Sequence, residues 1–240
     1  MNIINFKTID STNSYLKREY KELNHFTWVK SDEQTQGRGR IHNTWIGNDD
    51  SLMCSILLKH DINISNIALY PLIAAQSLHK VLSTYHHDMK IKWPNDLYIG
   101  DKKIAGILTE SIIESSNVLA IILGFGINLN QSSFSNDLKK IASSLYLNTD
   151  QTYDKTIILK QLSKQLLSDL KHYHQFPLDI INYCNDYNYL KGQNITFVED
   201  DQLYDARALN INDQGQLIVE TKAGLKTLNS GLVSLKRNKD

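Results

Sequence analysis

The first half of the chain alternates apolar runs with polar turns, and this pattern predicts a sheet covered by helices. Segments 26–30, 52–58 and 118–123 are rich in β-branched, aromatic and leucine residues, which are typical of strands. Between residues 67 and 85 the apolar positions recur at helical spacing, and Pro71 falls in the first turn, where a missing N–H does little harm. A long helix is therefore expected to pack on these strands.

A short amphipathic helix is predicted to begin at Ser11, with apolar residues at helical spacing from Leu16 to Leu23. The Ser11 hydroxyl suits an N-cap because it can accept a bond from a free N–H of the first turn. Helix starts can also hold polar ligands, so a capping role and a binding role both remain open. Two further helices are predicted at 157–170 and 178–187.

Glycine and arginine alternate in the loop that follows the first predicted strand, where residues 34–40 read Gln-Thr-Gln-Gly-Arg-Gly-Arg. Glycine lets the backbone come close to a ligand, and the planar charged fork of arginine suits carboxylate or phosphate. Trp45 follows with a flat apolar surface. The loop therefore predicts an anion site, although a solvated basic turn is an alternative that so short a motif leaves open.

Residues 90–96 form a second informative stretch, Lys-Ile-Lys-Trp-Pro-Asn-Asp. Pro94 pushes the residue before it away from helix, so a strand should end here and leave Asn95 and Asp96 at its mouth. Asparagine and aspartate are also common turn formers. A site role and a turn role are both compatible with this pair.

The next segment predicts a β-hairpin that turns at residues 100–101, Gly-Asp. Lys103 lies beside that turn, where a lysine alone would be expected to be exposed. Gly106 interrupts the returning strand, which indicates that another group approaches the backbone closely. The later apolar strand runs into residues 124–128, Gly-Phe-Gly-Ile-Asn, so Asn128 is either a turn residue or a ligand contact.

Beyond Lys191 the pattern changes to short strands separated by polar turns. These strands are predicted at 195–197, 204–209, 217–219 and 225–228. About fifty residues of this kind predict a small barrel-like β module. The chain is therefore expected to hold two domains, residues 1–190 and 191–240.

Composition narrows the possible functions. The 240 residues carry 26 basic and 26 acidic side chains, so nothing in the net charge favours a genomic DNA binder or a membrane-surface protein. No apolar run approaches the roughly 18 residues needed to span a bilayer, and no secretory signal is visible. We expect a cytoplasmic protein with no membrane partner, in which Cys54 and Cys184 are packed, reduced thiols.

The informative segments resemble, in order and spacing, those of bacterial biotin-protein ligases, and the resemblance covers nearly the whole chain. It is carried by Ser11-Thr12-Asn13, the Gly-Arg-Gly-Arg loop with Trp45, Lys92-Trp93-Pro94-Asn95-Asp96, Lys103-Ile104-Ala105-Gly106-Ile107-Leu108 and Gly126-Ile127-Asn128-Leu129. Lys-Trp-Pro-Asn-Asp followed by Lys-Ile-Ala-Gly is a highly specific combination, whereas each piece alone is weak.

The resemblance implies an α+β fold. A mixed sheet flanked by helices, akin to the catalytic fold of class II aminoacyl-tRNA synthetases, is expected to precede a C-terminal SH3-like β-barrel. The implied enzyme is a biotin-[acetyl-CoA-carboxylase] ligase, which forms biotinyl-5′-adenylate and pyrophosphate from biotin and ATP. It then transfers biotin to a lysine of the biotin carboxyl carrier protein. Magnesium is the implied metal, and the expected oligomeric state is a monomer or weak homodimer.

The matching positions imply individual roles. For biotin they are Ser11, Thr12, Asn13, Gln34, Gly37, Arg38, Gly39, Arg40, Lys103 and Gly106. For ATP they are Arg38, Arg40, Trp45, Asn95, Asp96, Lys103, Asn128 and Lys236. Within these sets the resemblance makes Lys103 and Arg40 catalytic, Asp96 the magnesium contact and Asn128 the residue that reads the adenine edge. Cations at the junction fit this chemistry, since a carboxylate attacking a phosphate must overcome repulsion between anions.

Two departures from the family pattern change the expectation. Asn43 stands where the family commonly has a further arginine, two residues before Trp45, so phosphate neutralisation should be poorer unless another basic residue compensates. Only ten residues precede Ser11, whereas bifunctional members carry an N-terminal winged helix-turn-helix domain there. The expected protein is a ligase without repressor activity and without a DNA partner.

Two other functions remain open from the residues. A lipoate-protein ligase would share the fold, the adenylate chemistry and a lysine placed like Lys103, although the Gly-Arg-Gly-Arg loop favours biotin. A biotin-binding sensor without catalysis is permitted by the replacement at Asn43. Pyrophosphate release that depends on biotin and ATP would distinguish an enzyme from a sensor.

Overall fold

A computed structural model describes residues 1–40, 43–60, 62, 64–115, 117–229 and 233–235. Its larger sheet has the strand order β1-β2-β3-β7-β6-β5-β4. The strands are β1 (Asn2–Ile9), β2 (Thr27–Gln34), β3 (Ser51–Leu58), β4 (Met89–Lys92), β5 (Asp96–Ile99), β6 (Lys102–Glu114) and β7 (Asn117–Asn128). β1 and β2 are parallel and the other neighbours are antiparallel, so the predicted mixed sheet is confirmed.

Helices cover both faces of this sheet. They are α1 (Thr12–Glu19), α2 (Tyr70–Leu82), α3 (Leu145–Thr149), α4 (Lys155–Gln175) and α5 (Pro177–Asp186). On one face Leu16 of α1 packs with Val29 and Leu57, while the other face joins the main core with α2 and α4. Coverage on both sides explains why β3 is buried along its whole length and is mostly apolar.

The C-terminal sheet is antiparallel, with the order β11-β10-β9-β8-β12. Its strands are β8 (Asn194–Glu199), β9 (Gln202–Ile211), β10 (Leu217–Thr221), β11 (Gly224–Leu228) and β12 (Val233–Leu235). This separate sheet agrees with the expected SH3-like module, and the division at residue 190 stays a proposal. Ile195 and Phe197 belong to the same core cluster as Leu72 of α2, so the two sheets are packed together.

Trp93 and Gly215 join the two sheets directly. The Trp93 indole N–H donates to the Gly215 carbonyl at 2.9 Å. Gly215 has φ +78°, and a Cβ there would lie 2.7 Å from Leu69 Cδ2. Glycine is therefore required by its backbone angle. It is also required because this turn packs closely on α2 and on the residues just before that helix.

Several element boundaries differ from the sequence prediction. The first predicted strand continues to Gln34, and the long helix begins at Tyr70 after a 3-10 segment at Ile64–Leu69. The edge strands β1 and β12 were not predicted, because β1 lacks clean alternation and β12 has only three residues. Among the described residues, no helix combines the length and the apolar character that crossing a membrane requires.

Candidate active site

A cavity of about 760 Å³ opens where α1, the glycine–arginine loop and the hairpin of β5 and β6 meet. The predicted site residues that line it are Ser11, Thr12, Asn13, Gln34, Arg38, Gly39, Arg40, Trp45, Asn95, Asp96, Lys103 and Gly106. Residues far apart in the chain thus share one cavity. Val233, Ser234 and Leu235 also line it, so the C-terminal sheet contributes to its wall.

The wall at the start of α1 is built from neutral hydrogen-bonding groups. Ser11 caps the helix, the Thr12 N–H donates to Gln34 Oε1 at 2.7 Å, and the Thr12 hydroxyl oxygen lies 3.1 Å from the same Gln34 oxygen. Thr12 Oγ1 and Ser55 Oγ are 2.6 Å apart, and Ser55 donates to Asn13 Oδ1 at 2.6 Å. We call Thr12, Asn13, Gln34 and Ser55 the neutral network.

Asn13 can lie flat on the sheet because Gly124 has no side chain. A Cβ on Gly124 would be 2.2 Å from Asn13 Oδ1. The Asn13 amide donates to Glu110 Oε2 at 2.9 Å, and Arg38 donates to the same oxygen at 2.8 Å. The neutral network is therefore connected through Glu110 to the glycine–arginine loop.

The described part of the loop forms a narrow ribbon. Arg38 bridges Thr44, and the Gly39 N–H donates to the Asn43 carbonyl at 2.6 Å. A Cβ on Gly37 would lie 2.4 Å from the Trp45 carbonyl oxygen. The fold therefore needs glycine at Gly37 for packing within the loop, and Gly37 does not line the cavity.

Trp45 lies against β7 at Gly126. A Cβ on Gly126 would come within 2.3 Å of the indole ring, so this glycine makes room for the aromatic wall. Lys103 Nζ is 5.8 Å from the centre of the same ring, within reach of a cation–π contact. The ring thus lies between the buried strand and the cavity.

A β-bulge aims Lys103 into the cavity. Tyr98 pairs with Lys103 and Leu97 with Ala105, so Ile104 is an extra residue in β6. Side chains alternate along a regular strand, and the extra residue brings Lys103 onto the face of Gly106. A Cβ on Gly106 would lie 2.8 Å from Lys103 Nζ, which is the close approach that the sequence predicted there.

Asp96 lies among cationic side chains. Its Oδ1 atom is 2.7 Å from Lys103 Nζ, but the pair is not aligned as a hydrogen bond, and this buried oxygen has no hydrogen-bond partner in the described chain. Arg40 donates to Asn95 Oδ1 at 3.1 Å. We call Arg40, Lys92 and Lys103 around Asp96 the cationic cluster.

Burial shapes the titration of this cluster. It lowers the pKa of Lys92, which Asp96 raises and the Lys103 charge lowers further. Burial also lowers the pKa of Arg40, and Asp96 opposes that shift. Partly dehydrated cations beside a single carboxylate favour an anionic ligand with more than one charge.

Besides Gly37, two predicted residues lie away from the cavity wall or outside the described chain. Asn128 is buried at the end of β7, donates to the Ser143 carbonyl at 3.1 Å and accepts from Gln131 at 3.2 Å. Lys236 lies outside the described residues. The adenine role of Asn128 and the triphosphate role of Lys236 stay predictions.

Ser55 and Glu110 were missed from the sequence. Ser55 is the one hydroxyl residue within the otherwise apolar segment 52–58, and that exception to the pattern was the available signal. Glu110 lies on the same strand face as Gly106, two side-chain repeats further on, but its partners come from distant segments. Nothing local in the sequence distinguishes it from a solvated strand residue.

Both parts of the chain match models of known protein families. Residues 5–128 match the biotin/lipoate A/B protein ligase family, and residues 191–236 match the biotin protein ligase C-terminal domain. The chain belongs to the biotin/lipoate A/B protein ligase family, which confirms the predicted membership.

Its relatives include biotin ligases. The bifunctional ligase/repressor BirA of Bacillus spizizenii is 32% identical over 219 residues, which cover 87% of this chain and 66% of that protein. The biotin–[acetyl-CoA-carboxylase] ligase of Paracoccus denitrificans is 32% identical over 123 residues, half of this chain and 51% of that protein. Biotin protein ligase from Aquifex aeolicus in complex with biotin and ATP has a TM-score of 0.86 at 26% identity, covering 99% of both chains. The predicted fold class is confirmed.

Proposed function

We propose that the protein is a biotin-protein ligase that makes biotinyl-5′-adenylate and transfers biotin to a lysine of a biotin carboxyl carrier protein. The main observation is that the cationic cluster faces the same cavity as the neutral network. One side can accept the neutral polar ring of biotin, and the other can accept a carboxylate together with phosphates. The similarity to a ligase bound to biotin and ATP supports this choice.

In the first step the biotin carboxylate attacks the α-phosphorus of ATP. A carboxyl oxygen–phosphorus bond forms, and the bond to the leaving pyrophosphate breaks. Lys103 and Arg40 are the proposed catalytic residues, because their cations offset the repulsion between the two anions as they approach. In the second step the carrier amine attacks the acyl carbon, AMP leaves, and the amine proton passes to solvent.

The remaining contacts are assigned from the cavity wall. Ser11, Thr12, Asn13, Gln34, Gly39 and Gly106 are proposed to contact biotin, and Arg38 both biotin and the nucleotide. For Gly37 the proposed biotin contact is indirect, through the shape of the loop. Trp45 and Asn95 are proposed to face the nucleotide.

Asp96 fits a magnesium ion that arrives with ATP. Its Oδ1 is buried without a hydrogen bond in the described chain, so it can accept a further cation. The described residues contain no group of three or more metal-ligating side chains. That agrees with magnesium, which typically uses one or two carboxylates plus substrate phosphates and water. When bound, the ion would neutralise phosphate charge.

A direct test offers the protein ATP and magnesium with biotin or with lipoate, and detects acyl-adenylate by mass and pyrophosphate by release. We expect biotinyl-adenylate, followed by the acyl mass increment on one lysine of an apo carrier domain. Lipoyl-adenylate would favour lipoate ligase, and biotin binding without pyrophosphate would favour a sensor.

Acetyl-CoA carboxylase is the proposed source of the acceptor domain. The absence of repressor activity is also a proposal, supported by the balanced charge of the chain. A cytoplasmic location and a monomeric or weakly dimeric state stay predictions. Mobility shift on operator DNA with and without biotin and ATP would test the repressor question.

A further inference from the structure

Glu110 joins the glycine–arginine loop to the start of α1. Its Oε2 atom accepts hydrogen bonds from Arg38 and Asn13 at 2.8 and 2.9 Å. Glu110 pairs with Ile122 within the long β6–β7 ladder, so its backbone is fixed. The Glu110 side chain is 18% exposed and that of Arg38 is 42% exposed. A well-anchored acid thus restrains an arginine that extends from a loop.

Restraint matters because a free arginine side chain samples many rotamers. Fixing it before the ligand arrives removes that entropy cost from binding. The guanidinium has five N–H donors in a planar fork. In the described chain, Arg38 makes its hydrogen bond to Glu110 through one terminal nitrogen, which leaves the other nitrogens available for an anion.

We propose that Glu110 is a positioning residue that holds Arg38 at the cavity, so that its remaining donors meet the carboxylate end of biotin. The inference rests on the proposed function and adds a residue to it. Glu110 acts through Arg38 and does not itself contact the substrate. Its negative charge is offset by the arginine, which limits repulsion of the incoming carboxylate.

A competing explanation is that Glu110 only braces Asn13 in the neutral network. Glu110→Gln separates the two roles, because glutamine keeps an acceptor oxygen of similar reach for Asn13 but loses the charge that attracts Arg38. Glu114→Gln is a matched control, since Glu114 lies on the same strand and is exposed.

The experiment titrates biotin by calorimetry, without ATP, into the full-length wild type, Glu110→Gln, Glu114→Gln, Arg38→Ala and the Arg38→Ala/Glu110→Gln double variant. We expect Glu110→Gln to raise the biotin Kd about fivefold, which corresponds to the upper range for a partly exposed ion pair. Glu114→Gln should match the wild type. In the Arg38→Ala background, Glu110→Gln should have no further effect.

An equal effect of Glu110→Gln with and without Arg38 would overturn the proposal, because the acid would then act through Asn13. A biotin Kd for Glu110→Gln equal to that for Glu114→Gln would also overturn the proposal. Both results leave the proposed function intact if the wild type still releases pyrophosphate with biotin and ATP. A wild type that does not bind biotin would remove both proposals.

Discussion

The two sides of the cavity are built by different means. The neutral network satisfies its own hydrogen bonds, from Gln34 through Thr12 and Ser55 to Asn13, on elements fixed by the sheet. The cationic cluster is only partly satisfied, since Lys103 and Asp96 are close but poorly aligned. The neutral network is therefore organised before a ligand arrives, whereas the cationic cluster can still stabilise additional negative charge.

This difference supports separate roles for the two sides of the cavity in the proposed reaction. A self-bonded wall offers fixed shape and suits recognition of a neutral ring. Partly dehydrated cations have more to gain from a new anion and suit the step where charge is brought together. Variants on the two sides should therefore change different kinetic parameters.

Lys103→Ala should have the largest effect. The proposed mechanism uses this ammonium to offset the charge of the reacting carboxylate and phosphate, so without it the rate of adenylate formation should fall on the order of 10²–10³-fold. Single-turnover mass spectrometry of the adenylate measures this rate. Lys102→Ala, an exposed neighbour on the same strand, is the control. An unchanged rate in Lys103→Ala would remove this residue from the chemistry.

Arg40→Gly should loosen retention of the adenylate. Charge-assisted bonds contribute about 1.5–3 kcal/mol, so its release should accelerate roughly ten- to a hundredfold. Biotin should then appear on unrelated lysines of a bystander protein. Arg40→Lys keeps the charge, so its rate of adenylate release should lie between those of the wild type and Arg40→Gly. A release rate equal to the wild type would contradict a retaining role.

Two glycine substitutions should affect biotin binding and ATP binding to different extents. Gly124→Ala displaces Asn13, and we expect about a tenfold rise in biotin Kd with a smaller change in the KM for ATP. Gly126→Ala displaces Trp45, and we expect a rise in the KM for ATP with a smaller change in biotin Kd. Calorimetry and steady-state kinetics measure the two quantities. Identical profiles for both variants would show that the cavity responds as one unit.

Lys92 should give the smallest effect, visible only as a pH dependence. Its lowered pKa means that it loses its proton at a lower pH than an ordinary lysine, for which the value is 10.5. The KM for ATP should therefore rise by a few-fold as pH increases from neutral towards that value. Lys92→Arg should flatten the profile, whereas the exposed control Lys90→Arg should keep it. A wild-type profile without this rise would exclude Lys92 from phosphate binding.

Much of the cavity wall follows from the sequence because its residues occur in short, unusual segments. The arginines of the glycine–arginine loop and the Asn95-Asp96 pair are polar or charged residues that packing alone does not require. Gly106 was also predictable, since glycine inside a strand indicates close approach. These inferences needed only local chemistry.

The parts that could not be predicted depend on register and distant contacts. The bulge at Ile104 is set by pairing with β5, and it decides which face Lys103 takes. Glu110 is defined by partners on α1 and in the loop. β12 reaches the cavity only through the packing of the second sheet. Residue pattern along one strand contains none of this information.

The Trp93 indole, which is hydrogen-bonded to the Gly215 carbonyl, provides a fluorescent probe of the contact between the two sheets. The chain has two other tryptophans, Trp28 in the core and Trp45 at the cavity, which would contribute to the emission of the wild type. Variants that retain Trp93 alone would give an emission spectrum that shifts to the red if the C-terminal sheet separates from the body of the protein. Intrinsic fluorescence can therefore follow that separation without an added dye.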